Sequence, residues 1–505
     1  MTKKIIVIGS GAGGLGVSIL LAKAGYDVTV VEKNESSGGR GSKFSAQGFQ
    51  FDMGPSWYLM PDVFQQFFEL VGEKTTDYFQ LKKLSPSYRI WFEGDNQPLD
   101  LFSDLEKDAP TFEKLEPGVM KKLKKYLAEA GAKYEISKHH FIYKPFNSIL
   151  DFLDKKIMFL GTKYTVFSSF ESHLRKFVSD KRLRKILQYP LVFLGTSPYK
   201  APAVYSLMNH VDFDMGVFYP MGGMTKVFEA LHAIAKKNGV KFLFNAPVKK
   251  ILIQDKQATG ILLEDGTQMM ADSVVSNADY HFTETQLLSP EHRQFSDKYW
   301  DKQIVAPSGF LMYLGCNKKF PSLTHHNLFF AEKWKESFDE IFTPKDLPSS
   351  PSYYVCAPSV TDKEVAPEGK ENLFVLVPVA AGLDYTPEMI ATYRKKILNH
   401  MTETLGLEGL EESIIYERIF TGQDFSARYN AIKGTALGLA QNLMQTAVFR
   451  PKTQSKKISN LYYTGASTNP GIGVPTCLIS AQVAFKRIQG IKHPRPLQLT
   501  EIQPK

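Results

Sequence analysis

The chain has 505 residues, long enough for two or more packed regions with ample core. Hydrophobic residues make up 43% and charged residues 22%, the balance of a soluble globular protein. The net charge of +9 (61 basic against 52 acidic) is too mild for a nucleic-acid binder of this length, and no RRM, zinc-finger or helix-turn-helix pattern is present.

The same basic balance suits an anionic membrane surface. No run of 18 apolar residues exists, so a spanning helix is not expected. Cys316, Cys356 and Cys477 are too widely spaced to show a metal motif or a disulfide framework. They fit a reducing cytoplasm, and no metal is expected.

Lys4–Gly9 reads as a buried strand, followed at once by Gly9-Ser10-Gly11-Ala12-Gly13-Gly14. A helix pattern (Leu15, Ile19, Ala22) runs to Gly25, and a second strand, Asp27–Val31, ends at Glu32. Strand, glycine turn, helix, strand and acid are the dinucleotide fingerprint in its proper context. Gly9 allows the tight turn, Gly11 lets the backbone approach a pyrophosphate, and Gly14 allows close packing. The pyrophosphate sits on the helix N-terminus, and Glu32 accepts from a ribose hydroxyl. Lys3 and Lys4 followed by apolar residues mimic a signal peptide, but glycines break the apolar stretch in a register that the dinucleotide fold explains better.

Gly38-Gly39-Arg40 comes next, then Gly48 to Trp57 (GFQFDMGPSW). Here the chain resembles the FAD-dependent amine oxidase and phytoene desaturase superfamily. The resemblance implies a second phosphate turn with Arg40 neutralising charge, and a Gly-Pro turn beside the flavin. A second piece begins at Pro220-Met221-Gly222-Gly223. A helix with Val227, Leu231, Ile234 and Ala235 on one face follows, then a strand at Val240–Phe244. A meander follows over Val248–Ile253, Ala258–Leu263 and Gln268–Ala271, with turns at Asp255-Lys256 and Asp265-Gly266. Residues 272–279 close this piece as a buried strand and turn.

A third piece starts with a strand at Leu461–Thr464, passes through Gly465 to Gly473, and continues as a helix from Pro475 to Ile488, capped by Gly490. In the superfamily this helix start faces the pyrimidine end of the flavin. A helix N-terminus there stabilises the negative charge of a reduced flavin without a formal charge. Ala466 stands where many amine oxidases carry Asp, which is closer to the desaturase branch.

The expected architecture is α/β. A Rossmann-like FAD-binding domain is assembled from residues 1–75, 218–290 and 425–500. A mixed α+β substrate domain, with a helical membrane-facing part, takes 76–217 and 291–424. The resemblance assigns FAD to Gly9, Gly11, Ala12, Gly13, Gly14, Glu32 and Lys33, then to Gly39, Arg40, Gly54, Pro55 and Ser56. It adds Val248 through its main chain, and Gly465, Gly473, Val474, Pro475 and Thr476.

On the substrate side, Phe146, Ile149, Leu150 and Leu153 fit one helix face, and the apolar run Ile157–Leu160 follows. Lysines and arginines are interspersed through Lys144–Val178. That suits a helix pair at a membrane interface and equally an amphipathic helix over a core. His139-His140 and His325-His326 are read as surface residues, because adjacent side chains on a regular element point apart. No catalytic triad, paired carboxylates or H-E-x-x-H is found.

Over nearly its whole length, including GPSWYLMPD at 54–62 and GVPTCLISA at 473–481, the chain resembles bacterial CrtI-type phytoene desaturases. That implies an enzyme that introduces C=C bonds into phytoene, towards lycopene, by hydride transfer to flavin N5 and proton loss. Such chemistry needs positioning and a dry cavity more than a strong base. The implied partners are a long isoprenoid or carotenoid substrate, a membrane surface, and oxygen or quinone as electron acceptor. The expected location is cytoplasmic, peripherally bound to the inner face of the cell membrane. Alternatives are a desaturase of C30 or of later, hydroxylated or cyclised carotenoids, a carotenoid isomerase, another flavoenzyme of this fold, or a non-enzymatic prenyl-lipid carrier.

Overall fold

The computed structural model describes residues 2–146 and 168–504. The amphipathic stretch proposed between Lys144 and Val178 therefore falls mostly outside the described residues. No helix among the described residues is long and apolar enough to cross a membrane.

Five short parallel strands form one sheet. Their order across it is Leu461–Tyr463, Ser273–Ser276, Lys4–Ile8, Asp27–Val31 and Lys241–Leu243. Neighbours come from remote parts of the chain: Ile5 pairs with Ser273, and Val274 with Leu461. Ile5, Ile6, Val7 and Ile8 are all buried, because a parallel sheet covered on both faces needs apolar residues at every position. The helices Ala12–Lys23, Thr225–Lys237 and Val474–Gln489 share one apolar core with this sheet. The first and last of them touch closely at Gly16, where a Cβ would lie 2.9 Å from the Ala481 Cβ. Gly14 is tighter still, since its Cβ would lie 2.0 Å from the Gly9 carbonyl oxygen.

The meander is a three-stranded antiparallel sheet of Val248–Gln254, Gln257–Leu263 and Gln268–Met270. Its first turn places Asp255 and Lys256 at φ 48° and 59°, the left-handed pair that a two-residue hairpin favours.

The second large sheet has seven strands, in the order Ile414–Phe420, Ser308–Cys316, Glu371–Val379, Tyr353–Cys356, His326–Phe330, Tyr88–Phe92 and Leu99–Leu101. Its pairs are antiparallel except His326–Phe330 on Tyr88–Phe92. Alternate residues of Ser308–Cys316 serve two cores. Phe310, Met312 and Leu314 pack with the helix Pro387–Leu405, and Leu311 and Tyr313 face a second core shared with the helix Val119–His140.

A buried carboxyl ties that second core together. Asp212 Oδ2 accepts from Tyr88 Oη at 2.8 Å and Tyr189 Oη at 2.9 Å. Trp57 packs on both tyrosines, with ring centres 5.5 and 6.2 Å away. Burial pushes the Asp212 carboxyl up to about 7, against the two tyrosine hydrogen bonds. A raised folded-state value favours the folded protein below about pH 4, the ordinary Asp range. That stabilisation is lost as pH rises through about 7. Asp212→Asn keeps an acceptor but cannot ionise. Its melting temperature relative to the unsubstituted protein should therefore rise by several degrees between about pH 5 and about pH 8. A difference that stays constant over that range would show that Asp212 does not titrate there.

Candidate functional site

A cavity of about 1410 Å³ extends from the parallel sheet to the seven-stranded sheet. Ile8, Val31, Asn277 and Thr464, each at or just beyond the carboxyl end of a parallel strand, line one end of it. This is the crevice in which open α/β sheets hold their ligands. Every residue assigned to the cofactor from the sequence lines this cavity except Gly14, which is buried behind the turn.

Two helices open onto it. Ala12–Lys23 starts after Gly11 and Val474–Gln489 after Gly473, and neither N-cap makes a side-chain hydrogen bond. Their first N–H groups lack intrahelical partners, so the positive ends of both dipoles meet the cavity. Gly473 has φ +124°, a conformation L side chains rarely adopt. Thr476 Oγ1 donates to the Gly473 carbonyl at 2.7 Å and holds that turn. Gly465 lies close to Asn277, where an added Cβ would be 2.9 Å from Oδ1.

The two glycine turns touch. Gly38 N–H donates to the Ser10 carbonyl at 2.9 Å, and Gly54 leaves no room for a Cβ, which would lie 2.5 Å from the Arg40 carbonyl oxygen. Arg40 itself is half-buried. Among the described residues its one hydrogen bond is a long 3.5 Å contact to the Thr435 carbonyl, its buried Nε has no partner, and the guanidinium lies 5.6 Å from the centre of the Tyr429 ring. A guanidinium offers five donors, so most of this fork is free for an anion. Asp279 faces the same region. Burial pushes its carboxyl up, while the Arg40 charge holds it down.

Glu32 does more than the sequence indicated. Its Oε2 accepts from Ser10 N and Ser10 Oγ, both at 2.8 Å, and its Oε1 from Asn34 N and Nδ2, both at 2.9 Å. The acid thus braces the phosphate turn from beneath. Lys33 turns away to Ala427 O (2.7 Å) and Asn430 Oδ1 (3.0 Å), and burial lowers its pKa. Val248 pairs with Leu263 at the start of the meander, beside Pro247 at the cavity wall. Ser56 Oγ accepts from Tyr354 Oη at 2.9 Å, and Pro55 precedes it on the same wall.

Unsatisfied N–H groups at two helix ends, a free guanidinium and glycines that exclude side chains fit a dinucleotide with a diphosphate. Beyond them the cavity becomes apolar. Trp57, Phe193, Leu311, Leu328, Phe330 and Leu376 line this part. Among the described residues no histidine lines the cavity, and its carboxylates (Glu32, Glu264, Asp279) stand near the turns and the meander. Such a chamber suits positioning of an apolar molecule.

A family model for flavin-containing amine oxidoreductases matches residues 12–488. The chain belongs to this family. Its cofactor is FAD. The chain is 43% identical over 481 residues to a carotenoid 3,4-desaturase of Haloarcula japonica, covering 95% of this chain and 96% of that one. It is 36% identical over 502 residues to a zeta-carotene-forming phytoene desaturase of Myxococcus xanthus (99% and 96% covered). An oxidoreductase from Methanosarcina mazei shares the fold at 18% identity, with a TM-score of 0.61 over 96% of this chain and 100% of that one.

Several features of the site were not read from the sequence. Lys133 lines the apolar part, donates to Ser206 Oγ at 2.9 Å, and has its pKa lowered to about 8 by burial. Arg450 is buried and donates to the carbonyls of Leu439, Gln445, Ala466 and Thr468, bracing the loop before Gly473. Leu443 (42% exposed), Met444 (66%) and Phe449 (41%) line the cavity and reach solvent, so they form an apolar rim. One reading is corrected. His325 and His326 are not surface residues but buried, with ring centres 4.5 Å apart. His325 precedes the strand His326–Phe330, so the two do not follow strand alternation.

Arg40→Met removes the charge and keeps much of the bulk. The variant should lose FAD affinity by roughly tenfold to hundredfold, the worth of a charge-assisted hydrogen bond. Equilibrium dialysis with flavin fluorescence measures it, and unchanged affinity would move the diphosphate elsewhere in the crevice.

Proposed function

We propose that the protein is an FAD-dependent carotenoid desaturase acting on phytoene, towards lycopene. The observation that carries this reading is the continuity of the dinucleotide crevice with an apolar chamber in which, among the described residues, Lys133 is the one charged side chain and no histidine or carboxylate stands. A hydrocarbon polyene precursor has no ionisable group to recognise. It needs only apolar walls and exclusion of water.

Bound FAD supplies a two-electron acceptor where the crevice meets the chamber. The chain's own residues do the rest. In this reading Gly9, Gly11, Ala12 and Gly13 present backbone to the diphosphate, with Gly14 letting the turn close. Arg40, beside Gly39, neutralises phosphate charge, and Glu32 orients the ribose and the turn together. Val248 meets the adenine end through its main chain. Gly54, Pro55 and Ser56 would hold the flavin on one side, and Gly465 and Gly473–Thr476 would hold its pyrimidine end. The N-terminus of Val474–Gln489 would favour negative charge on a flavin held there. Residues 1–75, 218–290 and 425–500 form the cofactor domain, and 76–217 and 291–424 the substrate domain.

The substrate enters at the rim of Leu443, Met444 and Phe449, which lies against the inner face of the cell membrane. Three exposed apolar side chains at the mouth of an apolar cavity support that placement. Electrons leave to oxygen or a quinone. A second reading, desaturation at the 3,4 position of a longer polyene, draws support from the Haloarcula relative's name.

Expression in a host that accumulates phytoene tests the reading. Products lighter by successive pairs of hydrogens, with red-shifted absorbance, are expected. Untouched phytoene beside an FAD-loaded protein would refute a phytoene desaturase and leave a later carotenoid. For the rim, Leu443→Asp combined with Met444→Asp should weaken liposome binding by at least roughly tenfold while FAD content stays unchanged. Equal liposome sedimentation of both proteins would place the membrane contact elsewhere.

A further inference from the structure

Behind the wall that carries Trp57 lies a second group of chemically active side chains. His325, His326 and Cys356 are buried, and their potential ligand atoms lie within 4.8 Å of one another. None of the three lines the large cavity. The register of the sheet explains the meeting, because His326 pairs directly with Cys356 across adjacent antiparallel strands.

Each imidazole is held by one nitrogen only. His325 Nδ1 bonds Thr361 Oγ1 at 2.8 Å, and His326 Nδ1 bonds the Tyr354 hydroxyl at 2.6 Å. The Nε2 atom of each is buried without a partner. Buried polar atoms are rarely left unpaired, so two such nitrogens in one buried cluster with a thiol point to a ligand. The Tyr354 hydroxyl gives its proton to Ser56, so His326 Nδ1–H donates to it and His326 Nε2 carries the lone pair; the same tautomer of His325 sets its Nδ1–H on Thr361 Oγ1. Metal-bound histidines usually show this pattern, one nitrogen on the ion and the other anchored by a hydrogen bond.

We propose that His325 and His326, through Nε2, and Cys356, through Sγ, bind one Zn²⁺ ion. Two imidazoles and a thiolate are the donor set that zinc prefers, and tetrahedral donors lie roughly 3.5 Å apart. Donors within 4.8 Å of one another reach that distance by approaching each other by at most about 1.3 Å. Cys356 gives its thiol proton to solvent as the metal–sulfur bond forms, and no electron is exchanged. The ion has a structural consequence. His326 stacks on Trp57 with ring centres 4.1 Å apart and planes 6° from parallel, so fixing His326 fixes a wall of the substrate chamber.

The test uses the full-length, FAD-loaded protein, incubated with Zn²⁺, desalted, and examined by elemental analysis and zinc K-edge X-ray absorption. About one zinc per chain is expected, with one sulfur neighbour near ~2.3 Å and nitrogen neighbours near ~2.0–2.1 Å. Cys356→Ser should lose the sulfur signal and weaken zinc binding by at least roughly tenfold, whereas Cys477→Ser should keep both. Zinc well below one per chain, or a shell without sulfur, overturns the site. So does loss of sulfur on replacing Cys477. If Cys356→Ser fails to fold, the spectrum of the unsubstituted protein decides alone.

Discussion

Pairing of the five parallel strands is the constraint on which the rest of the protein depends. It brings Ile8, Val31, Asn277 and Thr464 to one edge, although they lie far apart in the sequence. The glycine turns, the two uncapped helix starts and Arg40 then converge because the strands end together. Gly14 and Gly16 set how closely the layers approach, with added Cβ atoms reaching 2.0 Å from Gly9 O and 2.9 Å from Ala481. A larger side chain at either position separates elements that the crevice needs in contact.

The electrostatics follow from that geometry. Positive ends of two helices and a free guanidinium gather at the nucleotide end, where an anion is to be held. Ionisable groups thin out towards the seven-stranded sheet, where an apolar molecule is to be held. Lys133 is an exception there, and burial already weakens its hold on a proton. Charge is thus placed where a diphosphate and a reduced ring need it, and withheld where a polyene must stay dry.

Much of this was readable in advance for a physical reason. A strand of the buried parallel sheet is a short apolar run, so Asp27–Val31 was found to the residue, and the half-exposed meander strands were found almost to the residue because turns at Asp255-Lys256 and Asp265-Gly266 separate them. The last helix was found with its Gly490 stop, which adopts φ +71°. Side-chain partners were less accessible. The four donors that Ser10 and Asn34 give Glu32, and the turn of Lys33 towards Ala427, depend on tertiary placement rather than local pattern. His325 and His326 were misread because alternation was applied across a strand boundary, and because His326 meets Cys356 only through sheet register. The rim at Leu443, Met444 and Phe449 carries no periodic pattern, so nothing local distinguished it from a core segment.

The central claim is that FAD in the crevice and a polyene precursor in the chamber exchange two electrons directly. Anaerobic mixing of the FAD-loaded protein with phytoene in liposomes tests it in a single turnover. The account predicts bleaching of the flavin absorbance, matched by one new double bond per bleached flavin. A flavin that stays oxidised while phytoene occupies the chamber would contradict it.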